Sequence, residues 1–156
     1  MEKILFVCLG NICRSPMAEA IFREKVKQNG LGNQISVSSV ATSHWEVGSL
    51  PHKGTQKILN QHGIAFSGIR ATQITKKDFE DYDLLVGMDK NVVDDVKQMA
   101  PASAMDKIHL FLEFSPEMKD KDVPDPYYTG DFQQTYQLID EGTDTWLEYV
   151  KKMIDL

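Results

Sequence analysis

A chain of 156 residues, 42% hydrophobic and 26% charged, has the length of one domain with a full core and the composition of an ordinary globular protein. Its net charge of −6 argues against general nucleic-acid or anionic-membrane binding, which need a basic face, and leaves a local anion site open. The short apolar runs exclude a transmembrane helix. With no basic-then-apolar leader, and two cysteines that make a poor disulfide framework, the expected compartment is the cytoplasm.

Residues 3–7 form a continuous apolar run, as expected of a strand buried on both faces. Residues 15–29 follow as a helix, with Ser15 as cap candidate, Pro16 at the first helical position and Gly30 as the stop. Residues 35–41 are rich in β-branched side chains and predict a second strand. Residues 51–62 predict a helix ending at Gly63, and Thr75 is a cap candidate for a short helix. Residues 84–88 and 108–112 predict two further strands, with a helix over 90–99 between them. A polar loop then leads to a long helix from about Asp131. Its apolar face is carried by Phe132, Tyr136, Ile139, Trp146, Leu147, Val150 and Ile154. Strand–helix alternation of this kind predicts an α/β fold: a parallel sheet with helices on both faces.

Ligands of such sheets sit at the carboxyl ends of the strands, which directs attention to residues 8–15. After the first strand the chain must turn into a helix. Gly10 can take a positive φ, and Asn11 tolerates one better than most residues. Such a loop can aim several backbone N–H groups at an anion, and the helix opening near Ser15 adds its positive end. Arg14 supplies a planar fork suited to two phosphate oxygens. A field of this kind favours the thiolate of Cys8. A bare Cys-to-Arg spacing would read instead as a small buried residue ending a strand and an arginine on the surface. The strand end, the Gly-Asn turn and the Arg-Ser-Pro helix start together favour the anion site.

The segment Cys8-Leu9-Gly10-Asn11-Ile12-Cys13-Arg14-Ser15-Pro16 resembles the signature of the low-molecular-weight protein tyrosine phosphatases. Asp125-Pro126-Tyr127-Tyr128 resembles that family's second signature, and residues 38–48 and 88–89 are similar to further family segments. The resemblance implies a four-stranded parallel sheet in a flavodoxin-like or Rossmann-like single domain covering residues 1–156. It implies hydrolysis of phosphotyrosine through a phosphocysteine, with Cys8 as nucleophile, Arg14 as phosphate clamp and Asp125 as general acid and base. Ser15 would bond the Cys8 sulfur, and Asn11 would hold the loop in shape, with Ser39 as its partner. Cys13 would pair with an oxidised Cys8 and shield it from further oxidation. Independently of the resemblance, Pro124 and Pro126 restrict the backbone around Asp125. Asp120, Asp122 and Asp131 would raise the Asp125 pKa by repulsion if they lie close in space.

The resemblance also implies a deep slot walled by Leu9, Ile12, Trp45, Tyr127 and Tyr128, suited to a phenyl ring. A related branch removes phosphate from arginine and carries threonine at the place of Ile12. Ile12 lacks the hydroxyl that would meet a guanidinium. Another relative reduces arsenate with additional cysteines that this chain does not have. A module that only binds phosphopeptides would need neither nucleophile nor acid. The chain departs from the family pattern at Ile69 and Thr72, where a histidine and an arginine often stand, and Asn91 falls one place early. The four histidines lack a ligand spacing, so no metal or other cofactor is expected. The expected partners are phosphotyrosine-containing proteins, and a monomer is favoured because the core needs the apolar face of the last helix.

Overall fold

The structure, a computed structural model, describes residues 1–155. Four strands, β1 (Glu2–Cys8), β2 (Ile35–Ala41), β3 (Leu84–Gly87) and β4 (Ile108–Leu110), form an all-parallel sheet in the order β2-β1-β3-β4. The order reverses at β1, so the crevice beyond its carboxyl end is where an open α/β sheet admits a ligand.

Among the described residues, six α-helices cover the sheet: α1 (Arg14–Gln28), α2 (Lys53–Gln61), α3 (Asp78–Asp81), α4 (Lys90–Met99), α5 (Pro126–Thr129) and α6 (Phe132–Ile154). Strand alternation divides β1 between two cores. Ile4, Phe6 and Cys8 pack with α1 and α6, whose Phe22, Ile139 and Trp146 are fully covered. Leu5 and Val7 face the other way, against Phe79 of α3 and Val92, Val93 and Val96 of α4. The continuous apolar run from Ile4 to Val7 is thus the signature of a strand with a helical layer on each side.

Predicted boundaries shift by one or two residues at several elements, the helix expected over 51–62 spanning Lys53–Gln61, and three differences have a plain local reason. Helix α1 begins at Arg14, and its capping position is Cys13, which makes no side-chain cap. The Ser15 hydroxyl does not cap because it is committed to the Cys8 sulfur. Pro16 is therefore the third helical residue, still within the turn whose N–H groups have no helical partner. Thr75 does not cap α3. Its backbone N–H donates to Asp78 Oδ2 at 2.8 Å. The fourth strand stops at Leu110, where the chain tightens into a 3-10 turn over Phe111–Phe114 that Glu113 fastens by accepting from the Leu110 N–H.

That turn buries Phe111 beneath α6, and the Phe111 carbonyl accepts from Trp146 Nε1 at 2.8 Å. The Phe111 ring lies where a Cβ on Gly142 would be, so only glycine lets α6 approach this closely. Gly142→Ala is expected to cost about 2–3 kcal/mol by overpacking, read as a lower urea midpoint with an unchanged slope.

Candidate active site

The loop after β1 takes its shape from where its carbonyls go. The Cys8 carbonyl accepts from the Thr42 N–H at 3.0 Å, and that of Leu9 from the Ser43 N–H at 3.1 Å and the Ser43 hydroxyl at 2.7 Å. The Ile12 carbonyl accepts from the His52 N–H at 2.7 Å, and that of Cys13 from the Thr55 hydroxyl at 3.2 Å. A trans peptide points its N–H opposite to its carbonyl. The N–H groups of Leu9, Gly10, Cys13 and Arg14 are thereby aimed away from these neighbours, toward the concave side of the loop. Helix α1 starts at Arg14 and adds its positive end. The loop has the build of a backbone anion cradle, fixed by segments that lie far off in the sequence.

Within the cradle it is Asn11, with φ 57°, and not Gly10, that turns left-handed. Its side chain holds it there. Oδ1 accepts from the Thr72 N–H at 3.0 Å, and Nδ2 donates to Ser15 Oγ at 2.7 Å and to Ser39 Oγ at 2.9 Å. These bonds offset the strain of a left-handed residue that bears a side chain. Cys8 Sγ lies 3.0 Å from Ser15 Oγ and accepts from the Asn11 N–H at 3.2 Å.

Arg14 is 3% exposed, so the surface reading of this residue is excluded. Nη1 donates to Asp89 Oδ2 at 2.7 Å and to the Val123 carbonyl at 2.9 Å, and Nη2 lies 3.5 Å from Asp125 Oδ2. Burial pulls its pKa down, but the charges of Cys8, Asp89 and Asp125 outweigh burial, and the net shift is upward. The guanidinium is therefore a permanent cation in a fixed orientation. Asp89 serves twice, since its Oδ1 caps α4 by accepting from the Val92 N–H at 2.8 Å.

Asp125 reaches the site from the far side. Its Oδ1 accepts from the Tyr127 N–H at 3.1 Å and caps the short helix α5, which leaves Oδ2 turned to Arg14. Two of the acidic neighbours expected around it, Asp122 and Asp131, are engaged elsewhere. Asp122 accepts from the Lys90 N–H at the start of α4, and Asp131 caps α6 by accepting from the Gln134 N–H. The charge facing Asp125 is the Arg14 guanidinium, which it shares with Asp89.

Cys8, Leu9, Gly10, Ile12, Cys13 and Arg14 form the base and near wall of one slot. Trp45, Asp125, Tyr127 and Tyr128 complete it. The aromatic rim is open: Trp45 is 69% exposed and Tyr128 76%. Asn11, Ser15 and Ser39 stand behind the loop, buried, and act on its shape. Cys8 and Cys13 are both free thiols. Burial, then the charges of Asp125 and Cys8, push the Cys13 thiol up to about 12, so Cys13 stays protonated at neutral pH. Among the described residues, no group of three or more His, Cys, Asp or Glu side chains converges as a metal ion would require.

Four site residues were not singled out from the sequence. Asp89 carried a signal, because an aspartate directly before a predicted helix is a cap candidate. Glu46, which lines the slot beside Trp45, lies in the family-similar segment 38–48, and Thr72, which orients Asn11, stands where the chain departs from the family pattern. Glu19 accepts from the Ser39 hydroxyl at 2.6 Å and reads in sequence as an ordinary acidic helix residue.

Residues 3–155 match the family described as low molecular weight phosphotyrosine protein phosphatase. The chain is 42% identical over 152 residues to the low molecular weight protein-tyrosine-phosphatase YfkJ of Bacillus subtilis, a match covering 97% of each chain. It is 43% identical to PtpA, a phosphatase of the same description from Staphylococcus aureus, over 100% of this chain and 98% of that one. The crystal structure of YfkJ superposes with a TM-score of 0.95 over 98% of this chain and 96% of its own. A Drosophila arginine phosphatase is also similar, at 33% identity and a TM-score of 0.88, covering 97% of this chain and 98% of that one.

Proposed function

Since the chain belongs to the low molecular weight phosphotyrosine protein phosphatase family, we propose that it hydrolyses phosphotyrosine with Cys8 as nucleophile, Arg14 as clamp and Asp125 as acid and base. One observation carries this assignment of roles. Arg14 lies between the sulfur-bearing loop and the Asp125 carboxylate, and all three face one slot. Cys8 Sγ attacks phosphorus and the bond to the ester oxygen breaks. That oxygen leaves with the Asp125 proton, and the phosphoryl group stays on sulfur. The inward N–H groups and the Arg14 fork hold the three equatorial oxygens, where negative charge spreads in the transition state. In the second half, water attacks phosphorus, Asp125 takes its proton, and Cys8 leaves as a thiolate that accepts a bond from Ser15. Microscopic economy follows, since one carboxyl group serves both halves in opposite protonation states.

Ile12 presents hydrocarbon to the slot, and Trp45, Tyr127 and Tyr128 give it aromatic edges. These surfaces suit a phenyl ring. A phosphoarginine would place guanidinium N–H groups against Ile12 with no acceptor there. We therefore assign tyrosine-phosphorylated proteins as substrates, met in the cytoplasm by a monomeric enzyme. Among the described residues no helix is long and apolar enough to cross a membrane.

The test is phosphate release from two aryl phosphates at mildly acidic pH. Asp125→Asn is expected to lower kcat/KM on phenyl phosphate about 100-fold, and much less on para-nitrophenyl phosphate, whose leaving group departs without a proton. An equal fall on both substrates removes Asp125 from the role of acid. A folded, reduced native chain that turns over neither substrate overturns the proposed activity.

A further inference from the structure

We propose that Glu19 is a positioning residue for the nucleophile: it terminates a hydrogen-bond chain that holds the Ser15 hydroxyl on the Cys8 sulfur. The proposal rests on the phosphatase reading and adds to it a residue on α1 that lies outside the slot.

The polarity of the chain follows from one fixed point. Asn11 Oδ1 accepts from the backbone N–H of Thr72, so the other end of the amide is Nδ2. Its two protons go to Ser15 Oγ and Ser39 Oγ. Each hydroxyl then receives a bond from Asn11 and must send its own single proton elsewhere. For Ser15 the acceptor is Cys8 Sγ at 3.0 Å. For Ser39 it is Glu19 Oε1 at 2.6 Å. Only one arrangement of protons satisfies every group, and it needs an acceptor at both ends. The sulfur is one end and Glu19 is the other.

Removing the far acceptor strands the Ser39 proton, because Ser39 is buried. The network can recover it by turning the Asn11 amide over, so that Oδ1 accepts from Ser39. That oxygen then also draws the Ser15 proton away from sulfur, and the Thr72 N–H is left facing an NH2 group. The loss at Glu19 is thus delivered to Cys8 through two hydroxyls and one amide.

The plain alternative is that Glu19 forms a surface ion pair with Arg23 one turn along α1. The geometry weighs against it. Arg23 Nη1 is 4.0 Å from Glu19, and the Arg23 guanidinium is directed at the carbonyls of Ala65 and Ser67. Burial raises the Glu19 carboxyl pKa on balance, and the Ser39 bond and Arg23 offset part of that rise. A carboxylate set this deep, with a hydroxyl as its shortest partner, is placed to accept.

The experiment is a double-mutant cycle on para-nitrophenyl phosphate, with inhibition by inorganic phosphate measured in parallel. Glu19→Ala is expected to lower kcat about tenfold and to leave the phosphate inhibition constant within about twofold, since Arg14 and the backbone cradle are untouched. Ser39→Ala should fall similarly, and the double variant should fall no further than Ser39→Ala alone, because Glu19 acts through Ser39. Glu19→Gln keeps an acceptor oxygen and should recover most of kcat. It also serves as the probe if the alanine variant does not fold. Native kcat in Glu19→Ala, effects that multiply with Ser39→Ala, or a glutamine variant no better than alanine would each overturn the role. Absent turnover by the native chain would instead sink the phosphatase reading, so the two failures are separable.

Discussion

Cys8→Ser is expected to lower phosphate release from an aryl phosphate by about ten-thousand-fold or more, while the variant still folds and still binds inorganic phosphate. Serine is close in size to cysteine, and the space at position 8 is closed. The carbonyl of residue 8 still accepts from Thr42, and the loop keeps its outward carbonyls and inward N–H groups. What is lost is the sulfur proposed to attack phosphorus. A serine hydroxyl beside Ser15 has no base to take its proton, since its neighbours at that point are the Ser15 hydroxyl and the Asn11 N–H. Phosphate binding should hold, because Arg14 and the bonds that shape the loop are unchanged. The measurements are steady-state turnover, a mass-spectrometric search for a phosphorylated Cys8 after acid quench, and phosphate binding by calorimetry. A serine variant that keeps more than about one part in a hundred of native activity would exclude Cys8 as the attacking group.

Arg14→Ala is expected to lose both activity and stability, and Arg14→Lys is expected to separate the two. Alanine removes the fork that holds two equatorial oxygens, which should lower kcat/KM about 1,000-fold or more. It also leaves Asp89 and Asp125 facing a space with no cation, and strips a donor from the Val123 carbonyl. Breaking a largely buried pair in this way should cost about 3 kcal/mol, toward the low end of such losses because both carboxylates keep some solvent contact. Lysine restores a positive charge to the two aspartates but offers a single point and no planar fork. Its melting temperature should return most of the way to native, with activity remaining near that of alanine. If lysine restores both together, Arg14 acts through charge alone and the two-point clamp is wrong.

Most of the site could be read from the sequence because its central piece is contiguous. Strand end, turn, cysteine, arginine and helix start fall within residues 8–16, where local rules apply. The same contiguity misled in one detail. Ser15 beside Pro16 reads as a helix cap, yet tertiary structure brings Asn11 and the Cys8 sulfur to its hydroxyl, and those partners prevail. Gly10 and Asn11 were both suited to a left-handed turn. The choice fell to Asn11 because Thr72, 61 residues away, supplies a donor for its side chain. Glu19 had no local mark at all, since its partner Ser39 comes from the next strand. In the fold, four parallel strands and the long last helix followed from period and length. The early end of β4 did not, because Phe111 leaves the strand to meet Gly142 and Trp146, and that contact exists only after α6 has docked.

The segment that carries Asp125 is tied down immediately before it. Val123 is buried, its N–H donates to the Met88 carbonyl at the end of β3, and its own carbonyl accepts from Arg14. The residue two places before the acid is therefore fastened to the sheet and to the clamp at once. Its ordering entropy is surrendered when the chain folds and does not recur in each catalytic cycle. For the acid proposed at Asp125, this mount would lower the ordering cost of reaching the leaving group in each cycle.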